Sequence, residues 1–286
     1  MDIGDIVVRK SYNKDVTFKV IDIKEDNGKY NVILKGINIR IIADANIEDL
    51  EMADEESGSK DKILNTRVKE AIKQAMILRG DLRDKVEKSP KIKAKNELMF
   101  GRPGKILHVD GDREYMETCL KVYKQLSLDA VGRAIAEQDQ PKVIVDLVRE
   151  VKPDIVVLTG HDSVLKDPRD YLDLDNYRNS KYYLESVKNL RNYNSSYDEL
   201  VIFAGACQSC YERILDVGAN FASSPNRVLI HCLDPVFVCE KIAYTRIDKV
   251  VSITDVIENT ITGIRGVGGL QTRGKYRDGY PKSPYI

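Results

Sequence analysis

The chain has 286 residues, a length that suits two domains, and its 45 Lys and Arg residues balance its 45 Asp and Glu residues. This balance excludes the strong overall positive charge with which many proteins bind nucleic acid. No apolar run approaches the roughly 18 residues of a membrane span, and no secretory signal pattern opens the chain. We therefore expect a cytoplasmic protein without membrane or nucleic-acid partners.

Residues 1–52 have the composition of short β-strands separated by polar turns. The segments rich in Val, Ile and aromatic residues are Asp5–Arg9, Thr17–Ile23, Lys29–Leu34 and Ile37–Ile42. Asp26-Asn27-Gly28 is a typical hairpin turn sequence. Several short strands in so small a segment predict an SH3-like β-barrel domain.

Residues 53–104 predict a linker and a helical, basic segment. A small polar run, Glu55–Ser59, favours a linker, and the spacing of apolar residues over Ile63–Val86 indicates a helix. The basic run Lys88–Lys95 follows and is interpreted as a solvated tether. Gly101–Gly104 ends the segment.

Residues 105–262 alternate between apolar strands and amphipathic helices, which predicts an α/β domain with a parallel sheet covered on both faces. The predicted strands are Ile106–Asp110, Ala130–Ala136, Asp154–Thr159, Leu200–Ala204 and Arg227–Cys232. Helices are predicted over Arg113–Leu126 and from Pro141 onward. Residues 263–286 are rich in Gly and basic residues and predict a flexible tail.

Polar and reactive side chains follow the predicted strands at their carboxyl ends, where the ligands of open parallel sheets bind. They are His108, Asp110 and Asp112 at the first strand, Thr159–Asp162 at the third, Gly205–Cys210 at the fourth and His231–Asp234 at the fifth. His108 and His231 lie within strand patterns, so we interpret them as structural.

His161 and Cys207 follow consecutive strands, an arrangement that suits nucleophilic catalysis by a thiol and an imidazole base. A helix predicted from Ser209 would favour a thiolate at its positive end. The small residues Gly205 and Ala206 permit a sharp turn before the nucleophile. The remaining cysteines are Cys119, Cys210, Cys232 and Cys239, and an odd total of five in a mid-sized chain predicts reduced thiols rather than disulfides.

Three other interpretations use the same residues. Cys207 and Cys210 form a Cys-x-x-Cys pair typical of redox proteins. Cys207, Cys210, His161 and Cys232 supply zinc-ligand types, although without a second closely spaced ligand pair. A phosphoacceptor receiver domain would need Asp at Thr159, and this argues against signalling by phosphorylation.

The motifs TGHD at Thr159–Asp162 and FAGACQS at Phe203–Ser209 resemble those of the caspase-type cysteine peptidases of clan CD, which include clostripain, gingipain, legumain and separase. These motifs are spaced by about 50 residues, as in caspases. The clan usually has Gly after the His, where this chain has Asp162. The resemblance implies a caspase-like parallel sheet with flanking helices, Cys207 as nucleophile and His161 as general base, without a metal or organic cofactor. The candidate oxyanion donors are Cys207 and Gly160.

A closer resemblance, to the YabG family of sporulation-specific proteases, covers nearly the whole chain. It rests on GDIVVRKSYNKDVTFKVIDI near the start, GRPGKILHVDGDREY in the middle, TGHDS, GACQS, and GIRGVGGLQTRG near the end. The resemblance implies processing of spore coat and related spore proteins, in the mother-cell cytoplasm or at the forming spore. The alternative class is a non-enzymatic scaffold for coat assembly.

Relatives in the clan often cleave after a basic residue, which needs a carboxylate in the substrate pocket. The candidates for this carboxylate are Asp162, Asp234, Asp110 and Asp112. A carboxylate two residues before the nucleophile, as in clostripain, is excluded because Gly205 occupies that position. We therefore expect cleavage after Arg or Lys.

Overall fold

A computed structural model describes residues 1–26, 29–84, 99–166, 168–283 and 285. The predicted turn at residues 27–28 and the predicted basic tether at 88–95 lie outside these ranges. No helix among the described residues has the length and apolar character needed to cross a membrane.

The amino-terminal segment forms an antiparallel sheet with strand order β4-β3-β2-β1-β5. Its strands are β1 (Ile6–Arg9), β2 (Thr17–Asp26), β3 (Lys29–Gly36), β4 (Ile42–Asn46) and β5 (Leu50–Met52). One face buries a compact cluster that includes Val7, Val20, Val32 and Leu34. A small β unit is therefore present, while its assignment as an SH3-like barrel stays a prediction.

The segment Ile37–Ile42 is predicted as a strand, but the structure begins β4 only at Ile42. The residues before it form a loop whose hydrogen bonds go to another part of the chain. Arg40 N donates to Ile230 O at 3.2 Å, and Cys232 N donates to Asn38 O at 2.9 Å. The apolar character of this loop reflects docking on the second sheet.

Helix α1 (Ser59–Asp84) connects the two sheets and begins four residues before the predicted helix. Asp61 in its first turn accepts hydrogen bonds from Thr17 N at 2.6 Å and from Asn38 Nδ2 at 2.8 Å. Ile72 and Ala75 pack into the core of the second sheet. The helix is thus attached to both parts of the chain.

The second sheet has six strands in the order β12-β11-β10-β9-β7-β8, and β12 is its antiparallel member. Its strands are β7 (Ile106–Asp110), β8 (Ala130–Ala134), β9 (Ile155–Thr159), β10 (Val201–Ala204), β11 (Phe221–Ser223) and β12 (Val267–Gly269). A separate ladder pairs β6 (Phe100–Arg102) with β13 (Arg277–Gly279). The mostly parallel sheet confirms the predicted α/β class.

Helices cover both faces of this sheet. They are α2 (Arg113–Gln125), α3 (Gln140–Val151), α4 (Ser180–Tyr193), α5 (Tyr211–Asp216), α6 (Asp234–Tyr244) and α7 (Ile253–Glu258). Successive strand residues point to opposite faces, so Val157 packs with α2 and α6 whereas Val156 packs with α3 and α4. The continuous apolar strands of the sequence are explained by this two-sided burial.

The predicted strand Arg227–Cys232 is wrong, because the strand next to β10 is Phe221–Ser223. Arg227 has a φ of 53°, which interrupts extended backbone. His231 forms an isolated bridge with Ile39 instead of joining the sheet. The apolar run of this segment packs beside the site described below.

The flexible tail predicted over residues 263–286 stays a prediction, although part of this segment is paired and buried. Strand β12 pairs with β11, and Thr272 and Lys275 are buried. A Cβ at Gly269 would lie 2.4 Å from Asn220 O, and one at Gly268 would lie 2.4 Å from the Tyr211 hydroxyl. These two glycines therefore allow close packing of β12 against its neighbours.

Candidate active site

Three adjacent parallel strands bring the principal candidates to one edge of the sheet. Asp110 of β7 pairs with Thr159 of β9, so Asp112 and His161 each lie two residues beyond that pair. Leu158 of β9 pairs with Ala204 of β10, so His161 and Cys207 each lie three residues beyond. The register therefore aligns Asp112, His161 and Cys207 at the carboxyl edge, where open α/β sheets bind their ligands.

His161 is held at its ring and its backbone. Its Nε2 atom lies 3.0 Å from Asp112 Oδ2, and its amide N donates to Glu137 Oε1 at 2.6 Å. The side chain is 18% exposed. Because Nε2 faces a carboxylate and Nδ1 makes no hydrogen bond within the described residues, the geometry favours a proton on Nε2 and a free lone pair on Nδ1.

Asp112 caps the helix that follows β7 while it binds His161. Its Oδ1 atom accepts from Glu114 N at 3.0 Å and Tyr115 N at 3.2 Å, and it lies 2.6 Å from Lys35 Nζ. Burial opposes ionisation of this carboxyl, but the hydrogen bonds from His161 and Lys35 prevail and lower the pKa of Asp112 to about 2. At neutral pH Asp112 therefore carries a negative charge next to the imidazole.

Cys207 lies in a tight turn after β10. Gly205 has a φ of 106° and Gln208 a φ of 58°, and both values are in the left-handed region. The Sγ atom accepts a hydrogen bond from Ile230 N at 3.1 Å, and the residue is only 1% exposed. The backbone of Ile230 thus lies against the sulfur.

The helix after Cys207 differs from the prediction. It begins at Tyr211 rather than near Ser209 and has six residues, so Cys207 does not cap it. Burial raises the pKa of the Cys207 thiol to about 12. Cys207 is therefore a protonated thiol at neutral pH.

Asp162 joins the loop of His161 to the turn of Cys207. Its Oδ2 atom accepts from Ser180 Oγ at 2.5 Å and from Ser209 Oγ at 2.9 Å, and Ser209 Oγ also accepts from Ala206 N. Burial raises the pKa of Asp162 despite these donors. The carboxylate of Asp162 therefore ties these two loops together.

Each of the four carboxylates predicted to bind a basic substrate residue is already hydrogen-bonded within the protein. Asp110 forms a two-pronged ion pair with Arg40, at 3.0 and 2.7 Å, and both side chains are fully buried. Asp234 accepts from His231 N, Ile261 N and Thr262 N. The assignment of a substrate carboxylate among Asp110, Asp112, Asp162 and Asp234 stays a prediction.

The candidate oxyanion donors lie beside the His161 and Cys207 turns. Within the described part of the chain, the amide groups of Gly160 and Cys207 make no hydrogen bond, so both remain able to donate. A Cβ at Gly160 would lie 2.2 Å from Glu137 Oε1. Glycine is therefore needed at this position if Glu137 is to hold the backbone of His161.

Three further side chains lie around the site and were not predicted from the sequence: Lys35, Tyr115 and Glu137. The Tyr115 ring lies 5.7 Å from the His161 ring, and its hydroxyl donates to Gly36 O and Ile39 O. Helical spacing only indicates that Tyr115 faces the core. No local signal connects Lys35, on a strand of the other sheet, with this site.

The positions of the cysteines bear on the redox and zinc interpretations of the sequence. Cys207 and Cys210 are both free thiols, and Cys210 Sγ lies 3.6 Å from Tyr171 O. Among the residues with described positions, no group of three or more His, Cys, Asp or Glu side chains is placed to hold a metal ion.

Comparison with known proteins gives two matches. A family model described as YabG peptidase U57 matches residues 2–281. The chain is also 41% identical over 285 residues to the protein named Sporulation-specific protease YabG from Bacillus subtilis (strain 168), and the match covers 98% of this chain and 97% of that protein. The matched range includes both sheets and the candidate site.

Proposed function

The chain belongs to the YabG peptidase U57 family of sporulation proteases, and on that premise we propose that it is a cysteine endopeptidase with Cys207 as nucleophile and His161 as general base. The observation that carries the proposal is the contact of 3.0 Å between His161 Nε2 and Asp112 Oδ2. It orients an imidazole on the strand next to that of Cys207 and leaves Nδ1 as the base.

The reaction begins when the scissile carbonyl of a peptide reaches the Cys207 sulfur, beside Ile230. His161 Nδ1 takes the proton of the Cys207 thiol as Sγ attacks the scissile carbonyl carbon. Asp112 stabilises the imidazolium that forms, and the amides of Cys207 and Gly160 donate to the oxyanion. His161 then protonates the leaving amine and the thioester forms.

The second half of the reaction releases the acyl group. His161 Nδ1 accepts a proton from water, which attacks the thioester carbonyl, and the proton then returns to the departing sulfur. Cys207 is regenerated as a thiol, in agreement with the raised pKa that burial gives it. The mechanism assigns no role to Cys210.

The proposed substrates are spore coat and related spore proteins, cleaved in the mother-cell cytoplasm or at the forming spore. The name of the Bacillus subtilis relative supports a role during sporulation. We also propose that the second sheet and its helices have the arrangement found in caspases, and that residues 1–52 form an SH3-like barrel. The α/β sheet and its strand-end His and Cys support a relationship with clan CD.

We expect cleavage after Arg, and less efficiently after Lys. A charge-assisted pair between an arginine and a carboxylate contributes about 1.5–3 kcal/mol, which corresponds to roughly tenfold to hundredfold in kcat/KM relative to a neutral glutamine. New amino termini should be mapped after incubation of the purified protein with a spore coat extract and with a peptide library. The Cys207→Ala variant is the control. Cuts that follow acidic or apolar residues would refute this specificity.

A further inference from the structure

The amino-terminal sheet contributes a charged side chain to the candidate site. Lys35 of β3 lies with its Nζ atom 2.6 Å from Asp112 Oδ1 and 2.8 Å from Glu114 Oε2. Its side chain is only 9% exposed. The same ammonium group lies 4.6 Å from the centre of the Tyr115 ring, which contacts His161. Lys35 is therefore buried between the sheet that carries it and the catalytic edge of the other sheet.

The loop after β3 fixes the position of Lys35 relative to the site. Arg40 forms its buried ion pair with Asp110, and its amide N donates to Ile230 O at 3.2 Å. Tyr115 donates to two carbonyl groups of the loop, at Gly36 and Ile39. These contacts join the two sheets close to Lys35. They fix the distance over which its side chain must extend to bind Asp112.

We propose that Lys35 is a positioning residue of the protease, which holds Asp112 so that Asp112 can orient His161. The inference rests on the proposed function and extends it, because it makes the amino-terminal sheet a part of the catalytic apparatus. Lys35 and the amides of Glu114 and Tyr115 all bind Asp112 Oδ1. Three donors on one oxygen direct the other, Oδ2, toward His161.

Lys35 also reduces the net negative charge next to the imidazole of His161. Its ammonium group offsets part of the negative charge of Asp112, the carboxylate that faces the imidazole. The other titratable or charged groups that face this cluster are Lys19, Arg40, Asp110, Glu114, Tyr115, Glu137, Cys207 and Cys232.

The chain offers a matched control in Lys19. Lys19 of β2 is the cross-strand partner of Lys35 and lies 2.7 Å from Glu114 Oε1. It is 37% exposed and makes no ion pair with Asp112 among the described residues. Lys19→Met therefore removes a lysine from the same sheet, directed at the same helix, without releasing Asp112.

The test compares Lys35→Met, Lys35→Arg and Lys19→Met in the full-length protein. We expect Lys35→Met to lower kcat/KM about tenfold to hundredfold at neutral pH, with the loss in kcat and little change in KM. Lys35→Arg should restore most of the rate, and Lys19→Met should match the wild type. If Lys35→Met does not fold, Lys35→Gln takes its place under the same criteria.

A second readout does not depend on proteolysis. The chain has only three histidines, so the ring signal of His161 in an NMR spectrum can be assigned by its loss in His161→Gln. Its chemical shift should change in Lys35→Met, because Asp112 is then no longer held against the ring, and should stay in place in Lys19→Met. A wild-type rate with an unchanged His161 signal would overturn the inference, as would equal losses in both lysine variants. If Cys207→Ala remained fully active, the proposed function would fail, while the His161 signal would still decide the role of Lys35.

Discussion

Replacement of Cys207 by alanine is expected to reduce proteolysis below about one-thousandth of the wild-type rate, since no other group can form the thioester. The fold should persist, because the change removes one sulfur atom and its hydrogen bond from Ile230 N. Loss of that hydrogen bond costs about 1 kcal/mol, or about 2–4 °C in melting temperature for a chain of this size. Cleavage rate and melting temperature should be measured together.

His161→Ala should have nearly the same effect as Cys207→Ala, and the double variant should be scarcely worse than either. Residues that act as one unit in catalysis give strongly non-additive losses. Additive losses in the double variant would mean that the two side chains act independently.

Cys210→Ala is the matched control for the nucleophile, and it should keep most of the activity. Cys210 lies on the same turn, but its Sγ atom faces Tyr171 O. A Cys-x-x-Cys redox protein would lose function equally at Cys207 and Cys210. A zinc protein would lose bound metal and stability with either change. Equal losses of activity at the two positions would favour the redox or the zinc interpretation over the cysteine peptidase.

Asp112→Asn is expected to lower kcat by about a hundredfold to ten-thousandfold, since the equivalent change in a serine-protease triad costs about ten-thousandfold through the wrong histidine tautomer. The asparagine amide would donate to His161 Nε2, and the ring proton would then lie on Nδ1, where the base is needed. Substrate binding should change less than kcat. Kinetics over a range of pH would measure both parameters.

Glu114→Gln is the control for this second prediction. Glu114 is the other carboxylate that binds Lys35, and it is 53% exposed at the same helix terminus. Its neutralisation should leave kcat within about fivefold, because an ion pair with an exposed partner contributes at most about 1 kcal/mol. Equal losses of kcat in Asp112→Asn and Glu114→Gln would mean that catalysis depends on the negative charge at the helix terminus and not on the tautomer of His161.

Much of the sheet could be predicted because its strands are continuous apolar runs. Leu107, Val109, Val156 and Leu158 face one layer of helices, while their neighbours face the other. Since such strands are buried on both sides, the sequence defines them without a periodic pattern. The location of His161 and Cys207 at one edge follows from the direction of parallel strands.

The partner of His161 could not be predicted because it depends on strand order. β7 lies between β9 and β8, so the residues that follow β7 meet those that follow β9. Asp110 of β7 pairs with Thr159 of β9, and Asp112 and His161 each lie two residues beyond that pair. With the strand order known, this spacing would have indicated their contact. From the sequence alone, Asp112 was predicted as a candidate for substrate binding.

Contacts between the two sheets were beyond the reach of local sequence patterns. Lys35 belongs to an alternating strand, where a lysine is normally solvated. Its burial against Asp112 arises from docking of the loop that contains Arg40, and the segment before Cys232 extends along that loop. These interactions are long-range, so only the tertiary structure reveals them.

The most direct test of the central claim is to locate the covalent bond that an active-site probe forms. An arginine-containing peptide with an acyloxymethyl ketone should be incubated with the wild type, and the adduct mapped by mass spectrometry across all five cysteines. We expect a single adduct on Cys207, formed at a rate that falls in His161→Ala and is unchanged in Cys210→Ala. Complete inactivation with the adduct on another residue, or with Cys207 unmodified, would contradict it.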